Sequence, residues 1–174
     1  NDMLVPGRAV TRVKYIPTRI PGEREEGGEE DSVEDVVGNQ EIRFDQVQYD
    51  DFHRGPGKSW DEVTWVCYDH RFTKEQAESK WGDKANKLSY TVIPTDMGSD
   101  KDDEDLDETD DTIFKRAVIF EFWDKNRREV LWIPEETPIV LETIEDPLEL
   151  KGFFDIARPL LAIESSTSLV PICE

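Results

Sequence analysis

The sequence predicts an α+β fold made mainly of antiparallel strands, with one or two short helices and long acidic loops. Three observations carry that expectation. Stretches in which apolar and polar residues alternate with a period of two recur along the chain, rich in Val, Ile, Phe, Tyr and Trp. Helical signals are short and confined to capping motifs. Two acidic tracts interrupt the pattern, and each repels itself too strongly to bury an apolar face. At 174 residues the chain fits one ordinary domain with a real core.

The first expected strand runs from Gly7 to Ile16, where Val10, Arg12 and Lys14 alternate with Val13 and Tyr15. Pro17 and Pro21 should end it, because proline removes ladder donors. An acidic, Gly-containing loop at 22–38 follows. A second strand, Glu41 to Tyr49, carries Ile42 and Phe44 against Arg43 and Asp45, and its apolar register slips toward Val47 and Tyr49, which suggests a bulge. Asp50 to Ser59 has the composition of a turn, and Ser59 with Glu62 has the form of a capping box opening one helical turn.

A third strand spans Thr64 to Phe72, with Trp65, Cys67 and Asp69 on one face and Val66, Tyr68 and His70 on the other. Thr73 with Gln76 forms a second capping box. It should start a helix over Lys74 to Trp81, with Gly82 in the position that a left-handed residue takes after a helix. The second acidic loop is expected at 95–111. Beyond it Ile113 to Trp123 reads as a strand, Asp124-Lys125-Asn126-Arg127 as a turn and Glu129 to Ile133 as the returning strand of a hairpin. Thr137 to Glu142 reads as a further strand that ends before Pro147. From Asp146 onward the chain is expected to be Pro-punctuated coil with apolar anchors at Leu148, Leu150, Phe153, Phe154, Leu160 and Leu161.

The formal charge of −20 resides mostly in the two tracts. Residues 23–35 hold eight acids and Arg24, and residues 96–111 hold ten acids and Lys101. That leaves only −4 for the remainder, a mildly acidic body. Such a balance argues against holding nucleic acid by phosphate neutralisation, which needs clustered Lys and Arg. Two cysteines, Cys67 and Cys173, form neither a disulfide framework nor a ligand spacing, so free thiols in a reducing compartment are expected. The sequence has no basic n-region with an apolar h-region and no apolar run near the roughly 18 residues a membrane helix needs. With Asn1 at one end and Cys173-Glu174 closing an apolar stretch at the other, residues 1–174 are expected to be a single segment of a larger chain.

Candidate chemistry fails on context in each case. Gly55-Pro56-Gly57-Lys58-Ser59 ends like a phosphate-cradling loop, but Phe52 stands where the leading glycine belongs, and a strand follows where that loop needs a long helix. Asp100-Lys101-Asp102-Asp103-Glu104-Asp105 alternates carboxylates as a calcium loop does, yet Asp105 occupies the glycine position. His53 beside Asp51 and His70 beside Asp69 invite a metal or an acid–base pair, without a third ligand at any usual spacing. Ser59, His70 and Asp69 make a triad on paper that no nucleophile elbow supports. Trp60, Trp65, Trp81, Trp123 and Trp132 could stack on bases or pack a core, and only one basic cluster, Lys125, Arg127 and Arg128, accompanies them. Core or interface packing is the stronger reading, and no catalytic, cofactor-binding or metal-ligating residue is assigned.

The order of these pieces resembles the portal proteins of tailed bacteriophages, in the branch with short tails. The resemblance rests on Leu4-Val5-Pro6-Gly7-Arg8 with Arg12-Val13, on Asp51 through Val63 leading to Trp65-Val66, and on Phe72-Thr73-Lys74-Glu75 before Trp81-Gly82. It continues through Glu121-Phe122-Trp123-Asp124-Lys125 with Val130 and Trp132, then Asp146-Pro147-Leu148, Gly152-Phe153-Phe154, Arg158-Pro159-Leu160 and Ser168-Leu169-Val170-Pro171. It spans nearly the whole chain; the two acidic tracts are where it departs from the pattern.

The resemblance implies a piece of the portal's outer wing, ahead of the stem helices and clip. It implies a homo-oligomeric ring, usually of twelve subunits, at one capsid vertex, through which double-stranded DNA is packaged and ejected without sequence-specific binding. Capsid, scaffold, terminase and tail adaptor proteins would be partners of the parent chain. The location would be the virion, after assembly in the bacterial host cytoplasm, with no membrane and no cofactor involved. Such a protein is not an enzyme, since the packaging ATPase is separate. Two other readings of the residues stand beside it: a non-catalytic peptide- or protein-binding β module using the aromatic hairpin 114–133, and a hydrolase or nucleotide-binding domain built on Ser59, His53 or His70.

Overall fold

In the computed structural model, residues 8–20, 36–92, 114–161 and 169 are described. Among the described residues the chain is β-rich with one α-helix, as expected, and the strand pairs are antiparallel. Strands β1 (Arg8–Ile20) and β2 (Val36–Val47) form a long ribbon, extended at the start of β1 by β9 (Leu160–Leu161). The second sheet runs in the order β3 (Phe52–Arg54), β4 (Trp65–Phe72), β6 (Lys115–Asp124), β7 (Glu129–Pro134), β8 (Glu142–Glu145), with β5 (Thr91–Val92) on the early end of β6.

The alternation in β6 is what organises the molecule. Ala117, Ile119, Glu121 and Trp123 point to the inner face, and the register sets Val66, Tyr68, His70 and Phe72 of β4 directly opposite them. Strand β7 adds Val130 and Trp132 on the same face, and β8 adds Ile144. Two separate cores form on this one face. Val10 of β1, the segment around Phe153, Phe154 and Ile156, and Leu169 cover one half. Helix α1 (Lys74–Trp81), the following 3₁₀ turn, Leu88 and Leu141 cover the other.

Local signals set α1 as expected. Thr73 Oγ1 accepts from the Gln76 N–H at 3.2 Å while Gln76 Oε1 accepts from the Thr73 N–H at 3.0 Å. Gly82 ends it at φ +56°, ψ −130°, a conformation that a side chain would strain, and a Cβ there would touch nothing within 4 Å. The cost of any other residue at this position is therefore one of backbone alone.

Elsewhere the structure corrects the sequence reading. Strand β1 continues through Pro17 to Ile20. Pairing with β9 stops at Ala9 and the last bond to the 155–156 segment comes from the Val13 N–H, so beyond Val13 only β2 requires donors from β1 among the described residues, and a missing N–H is tolerated on the open side. Of the acidic loop expected at 22–38, Val36, Val37 and Gly38 belong to β2, and residues 22–35 lie outside the described residues. The loop at 95–111 lies outside them too. The bulge falls at Gly38, opposite Thr18 and Arg19, instead of near Val47; Tyr49 opens a 3₁₀ turn.

The expected turn 50–59 hides β3, whose three residues pair with Val66–Tyr68. Ser59 makes no cap bond to the turn Trp60–Glu62; Glu62 Oε2 instead accepts from the Lys58 N–H at 2.8 Å. The strand expected at Thr137–Glu142 begins where that range ends, at Glu142. Matching Val130 with Ile144 keeps an apolar pair on the inner face, and that match sets the register. Among the apolar anchors, Phe153 and Phe154 are buried and Leu148 packs on the core, whereas Leu150 and Leu160 are exposed. Phe153 is held at φ +69°, a strained position for a bulky residue, by contacts with Trp123 and Phe154 at 5.4 and 5.9 Å between ring centres.

Candidate functional site

The chemistry of the molecule concentrates where β1 crosses the inner face. Glu121 and Asp155 are each only 4 % exposed, and both bind Arg12. The Arg12 guanidinium donates from Nη1 to Glu121 Oε2 at 2.7 Å, from Nη2 to Glu121 Oε1, and from Nε to Asp155 Oδ2. This planar two-sided grip uses the fork geometry that distinguishes arginine from lysine. One oxygen remains and finds a donor, and both Glu121 oxygens take second partners. Tyr68 Oη donates to Asp155 Oδ1 at 2.7 Å, Trp123 Nε1 donates to Glu121 Oε1 at 3.0 Å, and His70 Nε2 lies 2.7 Å from Glu121 Oε2. The Arg12 guanidinium also stands 4.5 Å from the centre of the Tyr68 ring.

The backbone clamps the same point. The Val13 N–H donates to the Asp155 carbonyl at 2.9 Å, and Arg12 bridges Ile156. Burial works against ionised Glu121, but hydrogen bonds from His70 and Arg12 and the Arg12 charge prevail and hold its carboxyl down at about 2. At Asp155 burial prevails instead and moves the carboxyl upward against Arg12 and Tyr68. Burial and the adjoining Asp155 carboxylate push the Tyr68 phenol strongly up, so Tyr68 stays a donor. The Arg12, Glu121, Asp155 and Tyr68 polar groups face one another, an arrangement that fixes strand placement.

Next to this centre the layers part. A gap of about 270 Å³ lies between β1 and the sheet, walled by Trp123, Val130, Trp132, Ile144 and Leu148 with Ile16 above. The opposite face of the ribbon is bare. Cross-strand partners Tyr15 and Ile42 are 48 % and 63 % exposed, and Phe44, opposite Val13, is 68 % exposed. The outer edge of β2 has no strand beside it among the described residues.

The candidates named from sequence are separated by the fold. Asp69 and His70 take opposite faces of β4, so the Ser59–His70–Asp69 arrangement does not form: His53 Nε2 meets Asp69 Oδ2 across strands at 3.0 Å, and His70 meets Glu121. Asp51 pairs with Arg71 at 3.0 Å instead of with His53. In the Gly55–Ser59 loop the Gly55 N–H donates to the Trp65 carbonyl at 2.9 Å, and a Cβ at Gly55 would lie 2.9 Å from the Trp65 indole nitrogen. With the Lys58 N–H given to Glu62, the loop is folded onto β4.

The basic cluster is dispersed as well. Lys125 Nζ donates to the Asp61 carbonyl at 3.2 Å, Arg127 lies 3.9 Å from Asp124, and Arg128 binds Asp146. The tryptophans pack: Trp60 on Phe154, Trp65 stacked on Phe122, Trp123 on Phe153, and Trp81 with Trp132. Cys67 is buried and its thiol is pushed up to about 12 by burial and then by Asp69 and Glu121. Among the described residues no group of three or more His, Cys, Asp and Glu could hold a metal, and no helix is long and apolar enough to cross a membrane. The tract 100–105 lies outside those residues.

Sequence reasoning missed Arg12, Glu121 and Asp155. One signal was available: Glu121 falls on the apolar face of an otherwise regular alternation, where an unpaired acid is not tolerated. No family model matches this sequence, and no curated protein is significantly similar to it.

Proposed function

We propose that this chain is a structural segment of a phage portal ring, from the wing ahead of the stem, with no catalytic residue. The reading rests on the resemblance described above, and the single observation that supports it is the ribbon β1–β2. It carries Tyr15, Ile42 and Phe44 on a bare face and an open strand edge on β2, while Arg12 anchors its base. An exposed apolar face with a free edge is what a neighbouring subunit covers in a closed assembly. The aromatic hairpin 114–133 is a weaker docking surface than the ribbon, because β6 is paired on both sides and Trp123 is buried against Phe153.

Native mass spectrometry and negative-stain imaging of the parent chain test the proposal. Closed rings of about a dozen subunits with a central channel are expected, and Phe44→Asp with Ile42→Asp should lower ring yield. A parent that stays monomeric at high concentration would overturn it. Weak retention of double-stranded DNA by the segment at low salt is also expected from its charge.

A further inference from the structure

The half of the sheet under α1 holds a second arrangement, apart from the ribbon and its ion centre. Phe72, Trp81 and Trp132 meet as the walls of a box corner. Phe72 stands at 70° to Trp81 and 72° to Trp132, with ring centres 5.0 and 6.2 Å apart, and the two indoles meet at 57° and 5.7 Å. His70 backs Trp132 at 5.2 Å. Into this corner α1 folds the side chain of Lys80, whose Nζ lies 3.1 Å from the centre of Trp132, 4.8 Å from Trp81 and 5.8 Å from Phe72. At the rim Glu142 accepts from Trp81 Nε1 at 3.2 Å, and its carboxylate attracts the Lys80 charge.

Aromatic faces plus a carboxylate are the chemistry that selects an ammonium group, because the ring quadrupoles replace part of its hydration. Lys80 shows what that corner accepts. Its residue is exposed in the last turn of the helix, so water is open to its side chain, and desolvation in the corner lowers its pKa. Lys80 thus occupies the corner while its side chain stays open to water.

We propose that Phe72, Trp81 and Trp132, with Glu142 at the rim, form an ammonium-binding cage that takes a lysine or methyl-lysine side chain from a basic partner segment, with Lys80 as its internal competitor. The formal charge of −20 supplies the long-range attraction for such a segment. This inference is independent of the portal reading.

The test uses the full chain and its tryptophan indole N–H resonances. Tetramethylammonium chloride is titrated against sodium chloride at equal ionic strength and against neutral tert-butanol. Lys80→Ala should bind tetramethylammonium roughly tenfold more tightly than the wild type, the size expected when a partly desolvated cation–π contact stops competing. Lys80→Met, which fills the corner with an uncharged chain, should not bind. A short basic peptide carrying one trimethyllysine should shift the Trp81 and Trp132 signals of the wild type, and its alanine counterpart should not.

Equal affinity in Lys80→Ala and the wild type would overturn the cage. So would a response to tert-butanol equal to that to the cation, which would mark a merely apolar hollow. Peptide binding to Lys80→Ala with none to the wild type would make Lys80 a permanent strut and overturn the partner site. Unchanged melting of the two Lys80 variants confirms that they report on the cage.

Discussion

The two halves of the inner sheet face are covered by opposite means. Under the ribbon, β1 is attached through a half-buried arginine between two buried carboxylates. Under α1, attachment is made by alanines, Ile119, Leu141 and interlocked aromatic rings. Apolar packing tolerates small shifts, whereas a charge centre accepts one register only. Moving β1 by a single residue would present Thr11 or Val13 to Glu121 and Asp155 and bury two uncompensated carboxylates. The ion centre thus specifies where the ribbon sits, and the helix side supplies apolar burial with less positional demand.

The largest expected effect is loss of the arginine. Arg12→Met should destabilise the chain by about 3–5 kcal/mol in urea unfolding, because it leaves two buried acids without a cation. Adding Glu121→Leu and Asp155→Leu should recover most of that stability while broadening the amide resonances of β1; no recovery would mean that the centre provides stability in its own right. On the helix side, Ile119→Ala should cost about 3 kcal/mol by opening a cavity, and β1 amides should keep their hydrogen-exchange order relative to the sheet.

Acid separates the two carboxylates. Glu121 titrates below its ordinary 4.5, at about 2, so its ionised form stabilises the fold fully above 4.5, and this contribution drains as the pH falls toward 2. Asp155 is shifted the other way, so its contribution is present below its ordinary 3.8 and declines as the pH rises through its folded-state value. Between pH 5 and pH 3 the wild type should therefore lose more unfolding free energy than Glu121→Gln, and Asp155→Asn should lose more than the wild type. Parallel pH curves for all three would refute the assigned directions. The smallest effect is at the helix start, where Thr73→Ala should lower stability by about 1 kcal/mol and fray α1 without altering β1.

What the sequence made legible was local or periodic. The Thr73–Gln76 box, Gly82 and the two faces of β4 each depend on residues within a few positions of one another, and each appears in the structure. Strand β3 was hidden in turn-forming residues because its three positions take their conformation from β4. Strand β8 was placed too early because its apolar match, Ile144 with Val130, lies across a ladder and not in its own period. The ion centre joins residues 109 and 143 positions apart, and no local pattern encodes a partner at that distance. The misplaced acid in β6 signalled that a cation was needed, but not which one.

The unequal length of the ribbon and its supports has a mechanical consequence. Strand β1 runs 13 residues, roughly 40 Å at about 3.3 Å per residue, yet its backbone ties to β9 and the 155–156 segment end at Val13. Among the described residues, the ribbon beyond that point is a cantilever with Arg12 as its fulcrum. A push near Thr18 becomes a torque on the guanidinium, and through Glu121 and Asp155 it reaches the middle of β6 and the chain next to Phe153, so strain at the rim of the molecule is felt first at its most buried charges.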